Sequence, residues 1–197
     1  MTTLYLVRHG IKVKEIGDVP LSANGLEQAK LTASLLEDKS IKHVYASPLR
    51  RAKETAQCIA SPHALPVLED DRLRERANWG DLAGQTFQEF VDMWNRCSRD
   101  REYVPPVGDS AQRAGERLDA FAKEVSKVHA NDEIVAVTHG AIITDFMINC
   151  LSLDELNQLH PRFLEMQSQL IPECSITVIQ VNDRGYQLQR FADVRHL

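Results

Sequence analysis

The sequence predicts an α/β fold in three layers, α/β/α, with a mainly parallel central sheet and helices on both of its faces. Short apolar runs alternate with longer stretches of helical periodicity, the order that gives right-handed crossovers and a parallel sheet. Two of these runs, Leu4 to Val7 and Ile134 to Val137, are apolar throughout, as strands covered on both faces require. A length of 197 residues, 43% hydrophobic and 26% charged, suits one domain over 1–197 with a sizeable core.

Leu4 to Val7 is the first strand, and a loop with Gly17 and Pro20 leads to Ser22, a polar cap for a helix with apolar positions from Leu26 to Leu36. His43 to Ala46 is the second strand. Pro48 starts a helix that turns Ala52, Thr55, Ala56 and Ile59 inward, and Pro66 to Leu68 forms a third short strand. From Arg72 to Gly84 the chain is charged, irregular and glycine-punctuated, which predicts a surface loop of the kind that carries function. A helix from Phe87 to about Arg99 follows. The turn-rich Val104 to Ser110 comes next, and Asp109 or Ser110 caps a helix ending at Val128. After Ile134 to Val137, a helix runs from about Ala141 to Asn149. Ile176 to Val181 and Tyr186 to Phe191, joined by Asn182, Asp183, Arg184 and Gly185, read as a closing hairpin whose exposed edge could support a homodimer.

Composition narrows the function. A net charge of −5 and a pI near 5.8 argue against nucleic acid or an anionic membrane as partner. The start of the chain lacks a basic, then apolar, leader pattern, and no stretch approaches about 18 apolar residues, so a cytoplasmic address is the default. Cys58, Cys97, Cys150 and Cys174 lie far apart without a C-x-x-C pair, which suits reduced thiols better than disulfides or zinc. The sequence shows neither a clustered His/Asp ligand motif nor a G-x-S-x-G elbow; no metal and no cofactor are expected.

The chemistry gathers where strands end. Leu-Val-Arg8-His9-Gly10 and Val-Thr-His139-Gly140 both place a histidine beyond an apolar run, at the carboxyl ends of strands where open α/β sheets bind ligands. An imidazole at the end of a rigid strand is a positioned nucleophile, and the following glycine clears its approach. Arg8 adds a planar cation whose fork fits two phosphate oxygens. In Ser47-Pro-Leu-Arg50-Arg51-Ala52, a helix N-terminus attracts anions and one of two arginines lies in its first turn; helical geometry does not decide which.

Taken in order, six stretches resemble the histidine phosphatase superfamily in its phosphoglycerate-mutase-like branch. They are Leu-Val-Arg8-His9-Gly10, Pro-Leu-Ser-Ala-Asn-Gly25-Leu-Glu-Gln28-Ala, Ser47-Pro-Leu-Arg-Arg51-Ala-Lys-Glu-Thr55-Ala, Leu-Arg-Glu75-Arg-Ala-Asn-Trp-Gly80, Pro-Pro-Val-Gly108-Asp-Ser110 and Val-Thr-His139-Gly140. The resemblance implies a small phosphorylated substrate, a phosphohistidine on His9, and Arg8, Arg51, His139 and Gly140 around the phosphoryl group. Arg51 is chosen over Arg50 because the family's arginine directly precedes the small residue, here Ala52. Glu75 falls at the family's proton donor, with Asp71 and Asp81 the nearest alternatives; Arg74 and Arg76 flank it and must point elsewhere.

One segment departs from the family. After Gly10 it commonly has Glu, then Thr or Ser, then an asparagine on the phosphate; this chain reads Ile11-Lys-Val-Lys-Glu15-Ile-Gly17 and is shorter. A carboxylate at Glu15 would repel phosphate unless it turns away, and Lys12 or Lys14 could compensate. The insert between Glu75 and Pro105 is short, like that of the phosphatases, which favours hydrolysis over mutase chemistry. Trp79, Phe87, Trp94 and Tyr103 could line the substrate mouth, although Phe87, Phe90 and Trp94 at helical spacing more often mean core. A phosphomonoesterase leads, with a phosphoglycerate-type mutase or a phosphate-binding regulatory protein as alternatives.

Overall fold

The computed structural model describes residues 1–182 and 185–197. Six strands form one sheet: β1 (Thr2–Arg8), β2 (Ile41–Ala46), β3 (Val67–Glu69), β4 (Glu133–Thr138), β5 (Ile176–Asn182) and β6 (Gly185–Asp193). Their order is β3-β2-β4-β1-β5-β6; β3, β2, β4 and β1 run parallel, and β5 and β6 add an antiparallel edge. The helices are α1 (Ala23–Leu36), α2 (Arg50–Ala60), α3 (Phe87–Arg99), α4 (Ala111–Val128), α5 (Gly140–Cys150), α6 (Leu153–Leu159) and α7 (Phe163–Met166). The predicted architecture is the observed one. Asp183 and Arg184 of the predicted hairpin turn lie outside the described residues.

Alternation along the central strands builds the layers. On β1, Leu4 and Leu6 pack with Leu118, Phe121, Ile142 and Phe146 of α4 and α5, whereas Tyr5 and Val7 pack with Ala33, Leu36, Ala56 and Ile59 of α1 and α2. Both faces of β1 and β4 are therefore buried, which explains their unbroken apolar runs. Polar caps start the helices: Ser22 accepts from Gly25 N at 3.1 Å, and of the two candidates before α4 it is Ser110 that accepts, from Arg113 N at 3.2 Å.

The predicted surface loop over Arg72 to Gly84 needs correction. Leu73, Arg76, Ala77 and Asn78 are buried. The segment opens with a 3₁₀ turn, Asp71–Leu73, and its carbonyls are tied down by side chains from the sheet and from α4. Arg117 donates to the carbonyls of Asp71, Arg72 and Arg74 at 3.3, 2.8 and 3.1 Å, and Thr138 Oγ1 donates to Leu73 O at 2.6 Å. Such pairing lets irregular backbone sit inside a protein.

Candidate active site

Register brings the two histidines together. Arg8 and Thr138 are the last paired residues of β1 and β4, so His9 and His139 leave the sheet side by side. Their ring centroids are 5.1 Å apart at 64°. Ser47 follows β2 in the same way, its N–H donating to Val137 O at 2.9 Å. Three adjacent parallel strands thus release Ser47, His139 and His9 along one line.

His9 is buried, and its Nδ1 lies 2.7 Å from Gly10 O. A carbonyl only accepts, so Nδ1 carries the proton and Nε2 keeps its lone pair. That lone pair receives Arg51 Nε–H at 3.0 Å. Arg51 also donates Nη1 to Asn78 Oδ1 at 3.2 Å, and its Nη2 lies 3.4 Å from His139 Nδ1, while His139 Nε2 bonds Ser47 Oγ at 2.8 Å. Burial, then Arg51 and Arg8, hold His9 well below the usual histidine range; burial, then Arg51, His9 and Arg8, do the same to His139. Both rings are therefore neutral at about pH 7.

The remaining predicted residues border the same cleft, of about 310 Å³. Arg8 Nη1 donates to Ile171 O and Nη2 to Glu173 Oε1, both at 2.5 Å, while its buried Nε finds no hydrogen-bond partner among the described residues. Gly140 begins α5 beside Arg8. Glu75 accepts the first amides of α5, Ala141 N on Oε2 and Ile142 N on Oε1, both at 3.0 Å, and Arg76 N on Oε1 at 3.0 Å. Its flanking arginines do point elsewhere. Arg74 faces Asp81 at 3.7 Å, and Arg76 turns into the interior against Asp145, at 3.5 Å, and the Trp94 ring, at 4.2 Å. Arg50 leans outward onto Glu54 at 2.8 Å, leaving Arg51 as the inward arginine of the pair.

The departing segment is firmly seated. Ile11 N donates to Gln28 Oε1 at 3.0 Å, and Ile11 O accepts from Ser22 N at 2.8 Å and Ser22 Oγ at 3.0 Å. Gly10 gives the chain room rather than an unusual angle: a Cβ there would stand 2.5 Å from Gly25 O. Lys12 borders the cleft, and burial followed by Arg51 lowers its ammonium below the usual lysine range; Lys14 and Glu15 are exposed and outside the lining.

The same cleft is also lined by four aromatic residues, Trp79, Phe87, Phe90 and Trp94, together with Val91. The core reading of α3 is thereby overturned, since Cys97 is its one buried residue and Phe87 is 58% exposed. Tyr103 is not in this lining; it stacks under Arg96 at 3.8 Å. Sequence reasoning missed Ser47, Asn78, Glu173 and Arg117 as site or supporting residues. Ser47 and Asn78 lay inside quoted motifs, whereas Glu173 follows α6 and α7, which the sequence reading left without elements.

The model of the histidine phosphatase superfamily (branch 1) matches residues 4–194. The chain belongs to that superfamily. It is 28% identical over 204 residues to the "Uncharacterized phosphatase PhoE" of Bacillus subtilis (strain 168), covering 100% of this chain and 97% of the relative. It is 33% identical over 210 residues to phosphoglycerate mutase-like protein 4 of Arabidopsis thaliana, covering 98% and 86%. Among solved structures, a mutant phosphoserine phosphatase from Entamoeba histolytica in complex with phosphoserine superposes with a TM-score of 0.75 at 25% identity, covering 100% of both chains. A mycobacterial glucosyl-3-phosphoglycerate phosphatase complexed with VO3 shares the fold at a TM-score of 0.74 and 22% identity, covering 98% and 99%. This histidine phosphatase therefore has phosphatases as structural neighbours, and no helix among its described residues is long and apolar enough to cross a membrane.

Proposed function

We propose that this histidine phosphatase hydrolyses phosphomonoesters through a covalent phosphohistidine on His9. The observation that carries the reading is the tautomer of His9: Nδ1–H is held by Gly10 O, and the nucleophilic Nε2 faces the guanidinium of Arg51. A phosphoryl group entering the cleft draws the Arg51 N–H groups from nitrogen to oxygen and frees Nε2 for in-line attack. Arg8, whose Nε finds no partner among the described residues, and His139 take the remaining equatorial oxygens. His139 can donate from Nδ1 once Ser47 Oγ–H donates to its Nε2, a tautomer swap that a hydroxyl permits.

In this scheme the Nε2–P bond forms as the ester P–O bond breaks, and the departing alkoxide takes a proton from Glu75. Water then enters and Glu75 accepts its proton, the P–N bond breaks to restore His9, and the departing phosphate takes that proton and returns Glu75 to its carboxylate. Glu75 accepts three backbone amides, which hold its carboxyl group at the cleft. The proton for the first step comes in with a monoanionic phosphoester. Side-chain cations supply the charge neutralisation, so the reading includes no metal requirement, and the aromatic lining receives the alcohol portion of the substrate.

The test is hydrolysis of an aryl phosphate in excess chelator by wild type and His9→Ala. Wild type should turn over and yield an acid-labile phosphoryl adduct, and the variant should do neither. Turnover retained in His9→Ala would overturn the mechanism.

A further inference from the structure

At the end of the sheet away from the cleft, His43, His129 and Asp132 offer one ligand atom each, all within 4.8 Å of one another. The seven residues from Asp132 to His139 put this group roughly 20 Å from the catalytic histidines, at about 3.3 Å per strand residue. No clustered His/Asp ligand set is visible in the sequence; strand pairing and one turn create it.

Three local features build the group. The β2–β4 register shifts between Ile41 and His43, so Lys42 is an extra residue and the bulge re-aims the His43 side chain. His129 caps the C-terminus of α4, and the chain reverses through Asn131, at a left-handed φ of +69°, with Asp132 N donating to His129 O at 3.3 Å. That turn returns Asp132 to the side of His129. Finally, Tyr45 Oη lies 3.0 Å from His129 Nε2, the kind of second partner that orients a ligating imidazole and leaves its other nitrogen available. His43 Nε2 stands 3.2 Å from Asp132 Oδ2, and the two imidazole rings lie 3.7 Å apart at 28°.

We propose that His43, His129 and Asp132 bind a divalent transition-metal cation of the zinc and cobalt class. Two imidazoles and one carboxylate suit such borderline cations, whereas magnesium and calcium prefer all-oxygen sets. On binding, the His43 ring takes its Nδ1–H tautomer, so that Nε2 and the Asp132 carboxylate both face the cation, and water completes its coordination. The stacked rings must splay for their lone pairs to converge; all three side chains are half-buried, so this motion meets no packed core. The bound ion clips β2 to the end of α4 and the start of β4.

Cobalt(II) titrated into the metal-free full-length chain tests this, by its visible d–d absorption and by metal retained after equilibrium dialysis. One ion per chain is expected in wild type and in His9→Ala, whose substitution lies at the other end of the sheet. Affinity should fall at least tenfold in Asp132→Asn and be lost in His43→Gln. Circular dichroism melts in chelator establish that each variant folds; if His43→Gln does not, the half-exposed Asp132→Asn decides. A wild type that retains no ion overturns the proposal, and so does full affinity in the folded cluster variants. Loss of binding in His9→Ala alone would place the ion in the catalytic cleft and also overturn it.

Discussion

Arg51 is buried, yet its guanidinium contacts only neutral partners, His9, Asn78 and His139, and no carboxylate lies within ion-pair distance of it among the described residues. A desolvated cation in that position costs stability until an anion arrives. Arg51→Met should therefore raise the stability of the phosphate-free protein by about 1–4 kcal/mol while removing turnover and the rise in Tm that phosphate gives wild type. Thermal melts with and without phosphate check it; a destabilised variant would contradict the idea. A second expectation concerns His9, whose depressed pKa keeps Nε2 unprotonated in mild acid. In the proposed reaction, phosphomonoesters, which become monoanions below about pH 6, then bring the proton that Glu75 passes to the alkoxide. A pH profile of kcat/KM should thus rise as pH falls from 8 to 6; a flat or rising alkaline limb would exclude that proton route. At this scale the place of His9 and His139 after apolar strands was legible in the residues themselves, whereas Arg51 and Glu75 were singled out only by the family resemblance; the fold brings all four to one cleft. Asn78 and Ser47 were not, because each acts on a partner that only folding places opposite.

Helix α3 stands apart from the other long helices because its apolar stripe faces the cleft. Periodicity reports that a stripe exists, without saying whether protein or ligand covers it, so the sequence leaves Phe87 and Trp94 between the substrate mouth and the core, with core the commoner outcome. With little packing beneath it, α3 depends on its capping box, in which Thr86 Oγ1 accepts from Glu89 N at 3.3 Å and Glu89 Oε2 accepts from Thr86 N at 2.8 Å. Thr86→Ala should cost about 1 kcal/mol of local stability. Its effect should appear mainly as a several-fold higher KM for an aryl phosphate, with a smaller change in kcat. Steady-state kinetics distinguish this from a change in chemistry, which would lower kcat first. Helices α6 and α7, of seven and four residues, are too short to show a period, and the Glu173 that follows them was invisible for the same reason. The strands β1 and β4 and the helix α4 were legible because burial and capping leave a mark in every one of them.

Across the whole molecule, buried ionisable groups set a pH dependence that mutation can dissect. His9 and His139 stay neutral in the folded chain, whereas unfolded histidines protonate below about 6.5. Unfolding therefore takes up protons, and stability falls as pH drops below 6.5, by about 1.4 kcal/mol per pH unit for each histidine. Asp145 acts in the opposite sense: burial, opposed by Arg76, pushes its carboxyl up to about 7, so stability is lost as pH rises between about 4 and 7. Urea unfolding of His139→Gln at pH 5 and 6 should show a slope lower than wild type by about 1.4 kcal/mol per pH unit; an unchanged slope would mean that His139 titrates normally. The last rung of the β1–β4 ladder, Arg8 opposite Thr138, has a further consequence for how such enzymes diversify. Because strand register alone sets the spacing of His9 and His139, the chain between them can lengthen or shorten wherever it leaves the sheet without moving either ring. The insert with α3 is such a stretch: it lines the cleft from outside the sheet, so its length and side chains can change while His9 and His139 keep their spacing.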